Sequence, residues 1–242
     1  MECLTGHIET SPRRVRVMLG GETIADTIEA RLVWEHPYYP QWYVPRAALT
    51  HVELHEVGSH ESKTFGSGQM FDIVAGSARA DAAATIWADH PDLVRLDFAA
   101  MDHWFEEDEE VFVHPRDPYK RIEILPSSRH IRVEVDGVTV ADTHHPTLLV
   151  ETGLPPRWYL PPIDIRLDLL VSTDTSTACP YKGVAHYWSV VSGDTTHPDL
   201  AWGYPTTTRE SEPVAGLICF YDEKVGVFVD DVRQDHPQTR FA

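Results

Sequence analysis

Short runs of alternating apolar and polar residues, separated by turn residues, dominate the hydropathy pattern of this chain. Two such runs, each followed by a glycine-containing pair, are Val15–Leu19 before Gly20–Gly21 and Ile131–Val135 before Asp136–Gly137. Residues spaced by two lie on the same face of a β-strand, and Gly-Gly or Asp-Gly after such a run favours a tight hairpin turn. The pattern therefore predicts antiparallel β-hairpins near the start and the middle of the chain.

Most later segments also favour strands. The runs Trp188–Val191 and Val225–Val229 are short and rich in β-branched or aromatic residues. Ala78–Trp87 is the best helix candidate. Phe98–Phe105 could be helical, but its counterpart Val214–Tyr221 contains a glycine and reads as strand, so we expect a strand in both. The chain is predicted to be all-β, with few short helices.

The chain also repeats itself. Shifted by 116 residues, Val15–Leu49 lies on Ile131–Ile165 with 13 identities in 35 positions, including an Ala-Asp-Thr triplet and the pair Glu35 and Glu151. The same shift relates Trp104–Val113 to Phe220–Val229. This period is far longer than the roughly 20–50 residues of a solenoid repeat, so it indicates a duplicated domain.

We therefore expect two tandem homologous domains, at residues 12–114 and 127–232. The bridge His114–Arg129 contains three prolines and is predicted to be extended and stiff. A duplicated domain can imitate a symmetric dimer, so the expected assembly is a monomer with a pseudo-twofold domain pair or a weak homodimer.

Composition narrows the function classes. Acidic residues outnumber basic ones by 38 to 20, which argues against nucleic-acid binding because phosphate backbones require clustered Lys and Arg. No segment has the length or apolarity of a membrane span or a secretory signal. The cysteines are sparse and odd in number, so we expect reduced thiols in a cytoplasmic protein; they are Cys3, Cys179 and Cys219.

The second copy carries an ordered set of motifs: LLVETGLPPRWYLPP, DLLVSTDTSTACPYKGVAHYWSV, AWGYP and AGLICFYDEKV. This set closely resembles the domain of unknown function 427, and the first copy resembles it more weakly. The resemblance implies a compact tent-like fold of curved antiparallel sheets and a two-domain member of actinobacterial type. A nucleotidyltransferase-like label attached to the family would need two closely spaced metal-binding acids after a Gly-Ser turn. Here Gly66-Ser67 leads only to Asp72.

The segment Cys179–Gly183, CPYKG, is the sharpest local feature. Pro180 fixes φ at the start of a turn and Gly183 permits positive φ, so a tight turn would bring Cys179 and Lys182 together. An ammonium next to a thiol favours the nucleophilic thiolate. The alternative is a buried structural cysteine beside a solvated lysine. The first copy has Ser62 and Phe65 at these positions, so any site here belongs to the second domain.

Glu151 and its counterpart Glu35 follow an apolar strand and precede a proline-rich turn. Such a carboxylate either bonds backbone amides or faces a pocket as an acid, base or ligand acceptor. Small-molecule pockets combine apolar walls with a few polar tips. We expect the polar and aromatic groups of such a pocket to be Glu151, Tyr159, Lys182, Trp202 and Tyr204.

His51, Glu53 and His55 are spaced by two and would share one strand face, a spacing that suits zinc. The ungapped repeat places Leu167, Leu169 and Val171 opposite them. Either the first copy has rebuilt this face for a metal, or the alignment slips by one residue and the histidines are exposed. We expect the second, and therefore no metal and no cofactor.

Three functions remain open. The favoured one is a small-molecule-binding or sensing module whose second domain carries the pocket, with the first as a degenerate support. The second is an enzyme of unknown reaction that uses Cys179 as nucleophile, Lys182 as its activator and Glu151 as acid or base. The third is a structural or protein-interaction scaffold.

Overall fold

The computed structural model describes residues 4–239, and Cys3 lies outside this range. The chain divides into two compact units between Asp117 and Pro118. The expected domain limits, 12–114 and 127–232, omit the first strand of each unit. These strands, Ile8–Thr10 and Ile122–Pro126, precede the recognisable repeat and join their domains by pairing with a later strand.

The first domain contains eleven strands within the described residues: β1 Ile8–Thr10, β2 Val15–Leu19, β3 Glu22–Thr27, β4 Arg31–Val33, β5 Gln41–Pro45, β6 Glu53–Ser62, β7 Gly66–Ala75, β8 Ala78–Trp87, β9 Leu93–Leu96, β10 His103–Glu106 and β11 Glu109–Glu110. Its short 3₁₀ helices are Arg46–Ala48 and Phe98–Ala100.

The second domain also contains eleven: β12 Ile122–Pro126, β13 Ile131–Val135, β14 Val138–Thr143, β15 Thr147–Glu151, β16 Arg157–Leu160, β17 Leu170–Cys179, β18 Gly183–Ser192, β19 Thr195–Gly203, β20 Ile218–Phe220, β21 Gly226–Val229 and β22 Val232–Arg233. Its 3₁₀ helices are Pro162–Asp164, Leu167–Leu169 and Arg209–Val214.

The two domains share one topology. Each has a seven-stranded antiparallel sheet, ordered β1-β4-β5-β9-β8-β7-β6 in the first and β12-β15-β16-β20-β19-β18-β17 in the second. Each also has a four-stranded sheet, ordered β11-β10-β2-β3 and β22-β21-β13-β14. The expectation of tandem homologous all-β domains is therefore confirmed. None of the helices in the part of the chain that the structure describes has the length and apolarity to cross a membrane.

The predicted hairpins form at the two glycine-containing pairs. Gly20 and Gly21 have φ of 63° and 81°, and Asp136 and Gly137 have φ of 51° and 79°. Positive φ at both central residues is the turn whose twist matches the flanking strands. These turns join β2 to β3 and β13 to β14.

The helix prediction for Ala78–Trp87 is wrong, because this segment is β8. It pairs with β7 on one side and β9 on the other, so sheet contacts override the helix preference of its alanines. Phe98–Phe105 is only partly a strand: Phe98–Ala100 forms a 3₁₀ turn capped by the Asp97 side chain, and β10 begins at His103.

The bridge prediction also needs correction. Residues 122–126 are not a free spacer but β12, the edge strand of the second large sheet, paired from Ile122 opposite Glu151 to Pro126 opposite Thr147. The proline lies at the end of this edge strand, where the absent N–H costs least.

The repeat shift is not constant. The long hairpin β6–β7 corresponds to β17–β18 with a shift of 117, so the alignment slips by one residue as expected for the histidine segment. At the far end the predicted match of Trp104 with Phe220 is wrong. Trp104 pairs with Val17, and Val133, the counterpart of Val17, pairs with Val227. Val227 is therefore the structural counterpart of Trp104. The connection after β8 has five residues (88–92), whereas that after β19 has fourteen (204–217), which displaces the later strands.

Candidate functional site

Glu151 and Lys182 form a buried ion pair in the second domain. Glu151 ends β15, and Lys182 lies in the turn between β17 and β18. The Lys182 ammonium donates to Glu151 Oε2, and the two side chains are only 10% and 8% exposed. Burial alone would lower the pKa of Lys182, but Cys179 and Glu151 outweigh it and raise that pKa. The lysine therefore stays charged.

Cys179 lies beside this pair. It ends β17 opposite Gly183, and its side chain is partly exposed. Cys179 and Lys182 belong to the same tight turn, and the thiol is one of the groups that raise the pKa of the lysine. The turn that holds Cys179 and Lys182 thus meets Glu151, which the sequence analysis named separately as the acid or base of a possible enzyme.

The aromatic candidates pack into one cluster, against which Cys179 also packs. Tyr159 on β16 is 1% exposed and accepts a hydrogen bond of 3.3 Å from the Trp202 indole N–H. Tyr204, just after β19, has its ring centroid 6.5 Å from that of Tyr159. Burial raises the pKa of both tyrosines well above the ordinary value, with Tyr159 and Cys179 as the next causes for Tyr204. Both hydroxyls therefore stay protonated.

The long connection after β19 holds the Lys182 turn. Thr208 and Ser211 donate side-chain hydrogen bonds to the Tyr181 carbonyl, that of Ser211 at 2.9 Å. Gly183 has φ of 101°, and a Cβ there would lie 2.7 Å from the Thr206 carbonyl oxygen. The turn is therefore fixed by a segment that is much shorter in the first domain.

The first domain has a different network at the same place. Tyr43, the counterpart of Tyr159, donates to Glu35 at 2.8 Å and accepts from the Trp87 indole at 2.7 Å. Arg95 on β9 donates to Glu35 at 2.7 Å. Both copies thus keep a tyrosine, an indole and a carboxylate–cation pair.

The cation comes from different strands in the two copies. Arg95 faces Tyr43 across the β5–β9 pairing, and Cys219 occupies the equivalent place facing Tyr159. Conversely, the first domain has a buried Phe65 at the position of Lys182. At the position of Cys179 it has Ser62, whose hydroxyl accepts hydrogen bonds from two backbone N–H groups of its own turn. The sequence did not reveal Arg95, because its role depends on which strands are neighbours in the sheet. The one sequence signal for it is that the second copy has no basic residue at the equivalent place.

A second buried cluster borders the site and was also missed. Arg157 donates to both carboxylate oxygens of Glu223, at 2.9 and 2.6 Å, and lies 3.7 Å from Asp222. Its guanidinium carbon is 5.6 Å from the centre of the Trp202 ring. Burial raises the pKa of Asp222 to about 6, against which Arg157 acts. The cluster thus packs a guanidinium against the Trp202 ring.

The histidine segment does not assemble a metal site. His51 precedes β6 with φ of 58°, whereas Glu53 and His55 lie exposed on the strand, 3.3 Å apart. Among residues 4–239, no three His, Cys, Asp or Glu side chains form a group suited to a metal ion. The one-residue slip places Glu53 and His55 on an exposed strand face.

Asp72, the single acid after Gly66-Ser67, has a structural role. Its carboxylate accepts from the Ala82 backbone N–H at 2.7 Å and pairs with Arg79. Ala82 has φ of 49°, so Asp72 stabilises an irregular point where β7 and β8 change register. A nucleotidyltransferase metal site finds no support in this arrangement.

Fold and site together define a tandem all-β protein in which each domain buries a tyrosine beside a carboxylate–cation pair. The chain matches the family described as Domain of unknown function (DUF427) over residues 7–98 and 123–231, and it belongs to that family. No curated protein sequence matches the chain.

Proposed function

We propose that the second domain is a small-molecule-binding module whose ligand contacts Glu151, Lys182, Tyr159, Trp202 and Tyr204. The observation on which this proposal depends is the buried Glu151–Lys182 pair, in a domain whose aromatic cluster also contains a Tyr204 hydroxyl that forms no hydrogen bond with the described residues. A polar tip without a protein partner inside an aromatic cluster is an arrangement that small-molecule pockets use.

Comparison of the domains supports the same assignment. In the first domain Tyr43 and Trp87 are fully engaged with each other and with Glu35, and Phe65 fills the lysine position. The second domain replaces this closed network with Lys182, Cys179 and an unbonded Tyr204 hydroxyl. The first domain then serves as support.

The test is thermal denaturation of the whole chain against a library of neutral, anionic and cationic metabolites. A ligand that binds only the native state raises the melting temperature. We expect hits with the wild type and with Arg95→Met, which alters only the first domain. The same compounds should not stabilise the double variant Glu151→Leu/Lys182→Met. Hits that persist in the double variant, or a library without hits, would refute the proposal.

An enzyme that uses Cys179 as nucleophile is the second candidate, favoured by the ammonium of Lys182 close to a partly exposed thiol. Glu151 already engages that ammonium, which weakens its effect on the thiol. Alkylation of Cys179 at an ordinary thiol rate that Lys182→Met leaves unchanged would eliminate this candidate.

We also propose that the protein works in the cytoplasm. Cys179 and Cys219 are both free thiols, and burial raises the pKa of Cys219, which protects it from oxidation. Fractionation of cells expressing the tagged chain tests this location; recovery outside the cytoplasmic fraction would contradict it.

A further inference from the structure

The chain after β22 folds back along the second domain. The Gln234 backbone N–H donates to the Val227 carbonyl at 2.8 Å, and the His236 ring donates to the Asp222 carbonyl at 2.6 Å. We call residues 234–239 the strap. None of the residues of the strap is buried, so polar contacts and not core packing hold it in place.

The strap ends on the buried Arg157 cluster. The Thr239 hydroxyl donates to Glu223 Oε1 at 2.6 Å, and the same oxygen accepts from Arg157 at 2.6 Å. The Glu223 side chain has no exposed surface, although the residue as a whole is only partly buried. Burial alone would raise the pKa of Glu223, but hydrogen bonds from Arg157 and Thr239 outweigh it and lower that pKa. A charged carboxylate is therefore hidden near the surface, under a cover to which Thr239 belongs.

The equivalent segment of the first domain has a different anchor. After β11, the Val111 N–H donates to the Trp104 carbonyl at 2.8 Å, which matches the bond from Gln234 to Val227. Val111 is only 3% exposed and belongs to the hydrophobic core, whereas Gln234 is exposed. Buried apolar surface makes a segment costly to detach, while a single hydrogen bond adds little net stability. The second domain thus keeps the path of this segment without its apolar anchor.

Detachment of the strap would uncover a guanidinium that packs on an indole. Arg157 donates to both carboxylate oxygens of Glu223, and its guanidinium carbon lies 5.6 Å from the centre of the Trp202 ring. Water that reaches Glu223 would weaken its pair with Arg157, because a higher local dielectric reduces the attraction between the charges. The contact between Arg157 and Trp202 therefore depends on the position of the strap.

We propose that residues 234–239 are a releasable strap, which detaches while the rest of the second domain stays folded and opens the Arg157–Glu223 pair and the adjacent Trp202 ring to solvent. Local openings of this kind require less free energy than global unfolding. The strap is a gate on the Arg157 side of Trp202, and its release requires no ligand.

The test is carboxyl footprinting of the whole chain. A carbodiimide couples glycine ethyl ester to accessible carboxylates, peptide mass spectrometry locates the label, and each rate is divided by the rate in the unfolded chain. The reference is Glu151 in the same domain, a buried glutamate paired with Lys182. In the native wild type we expect Glu223 to be labelled at least about tenfold faster than global unfolding, measured by urea titration, permits.

Two variants release the strap to different extents. Thr239→Val removes the hydroxyl at similar size and should raise the labelling of Glu223 about ten- to a hundredfold, the range for one hydrogen bond to a charged group. The matched control Gln238→Ala changes an exposed neighbour and should leave it unaltered. A chain that ends at Arg233 should label Glu223 at least as fast as Thr239→Val does.

Three results would overturn the inference. Labelling of wild-type Glu223 no faster than global unfolding permits would show that the strap does not detach locally. Equal labelling of Glu223 in the wild type and in either Thr239→Val or the shortened chain would show that the strap does not cover it. A parallel rise at Glu151 in both variants would show that the domain unfolds as a whole.

Discussion

Removal of the Lys182 ammonium tests the ion pair that organises the site. In Lys182→Met the side chain keeps a similar length, so the apolar contacts of its stem are largely preserved. Glu151, only 8% exposed, is left as a buried carboxylate without its counter-charge. We expect a large loss of stability that is confined to the second domain.

The magnitude follows from burial. Removing one partner of a buried ion pair costs about 3–5 kcal/mol, whereas replacing both partners by apolar residues is near neutral. For a domain of this size each kcal/mol corresponds to about 4 °C in melting temperature, so the expected fall is about 12–20 °C. The matched change Arg95→Met should cost only about 1–2 kcal/mol, because Arg95 and Glu35 are 25% and 21% exposed.

The assay is equilibrium urea unfolding followed by hydrogen-exchange mass spectrometry, which reports separately on peptides from β5 and β16. Glu151→Leu/Lys182→Met should regain most of the stability that the single variant loses. A loss below about 1 kcal/mol in Lys182→Met would contradict a buried, energetically coupled pair. A double variant no more stable than the single one would contradict it equally.

Three further outcomes are expected. Gly183→Ala should lower the unfolding free energy by about 3 kcal/mol, because it adds backbone strain at a φ of 101° and a Cβ 2.7 Å from the Thr206 oxygen. Gly66→Ala, at a φ of 68° in open space, should cost about 1 kcal/mol. Equal losses in urea unfolding would refute the close contact between the Lys182 turn and the connection after β19. Iodoacetamide should label Cys179 in the native Cys3→Ser protein and reach Cys219 only after denaturation, as read by peptide mass spectrometry; labelling in the reverse order would contradict their burial. Burial raises the folded pKa of Asp222 from 3.8 to about 6, so the folded state holds this proton more tightly and stability falls as pH rises through that window. Asp222→Asn should therefore gain about 1–3 kcal/mol relative to wild type between acidic and neutral pH, and a pH-independent difference in melting temperature would count against it.

Parts of the site were predictable because they lie in local motifs. The CPYKG turn indicated that Cys179 and Lys182 are neighbours, since Pro180 and Gly183 define the turn within five residues. Glu151 stood out because the repeat keeps a glutamate at both positions. That Lys182 reaches Glu151, 31 residues away, depends on how β15 and β17–β18 are arranged across the sheet, and no local pattern encodes it.

The limits of local reasoning are clearest at β8 and at Arg95. The alanines of Ala78–Trp87 favour a helix in isolation, but two neighbouring strands supply the hydrogen bonds that make it a strand. Arg95 becomes the partner of Glu35 only because β9 lies next to β5. The connection of residues 204–217 is longer than its counterpart in the first domain, so a constant repeat shift aligned the last strands of the two domains incorrectly.

The sequence by itself determined the duplication, the β class and the hairpin turns, because alternation, repeated motifs and glycine pairs act over a few residues. Tertiary structure decided which cation neutralises each buried glutamate and which tyrosine hydroxyl stays unbonded. Those outcomes depend on contacts between strands far apart in the chain, where burial makes an unpaired charge costly and so fixes its partner.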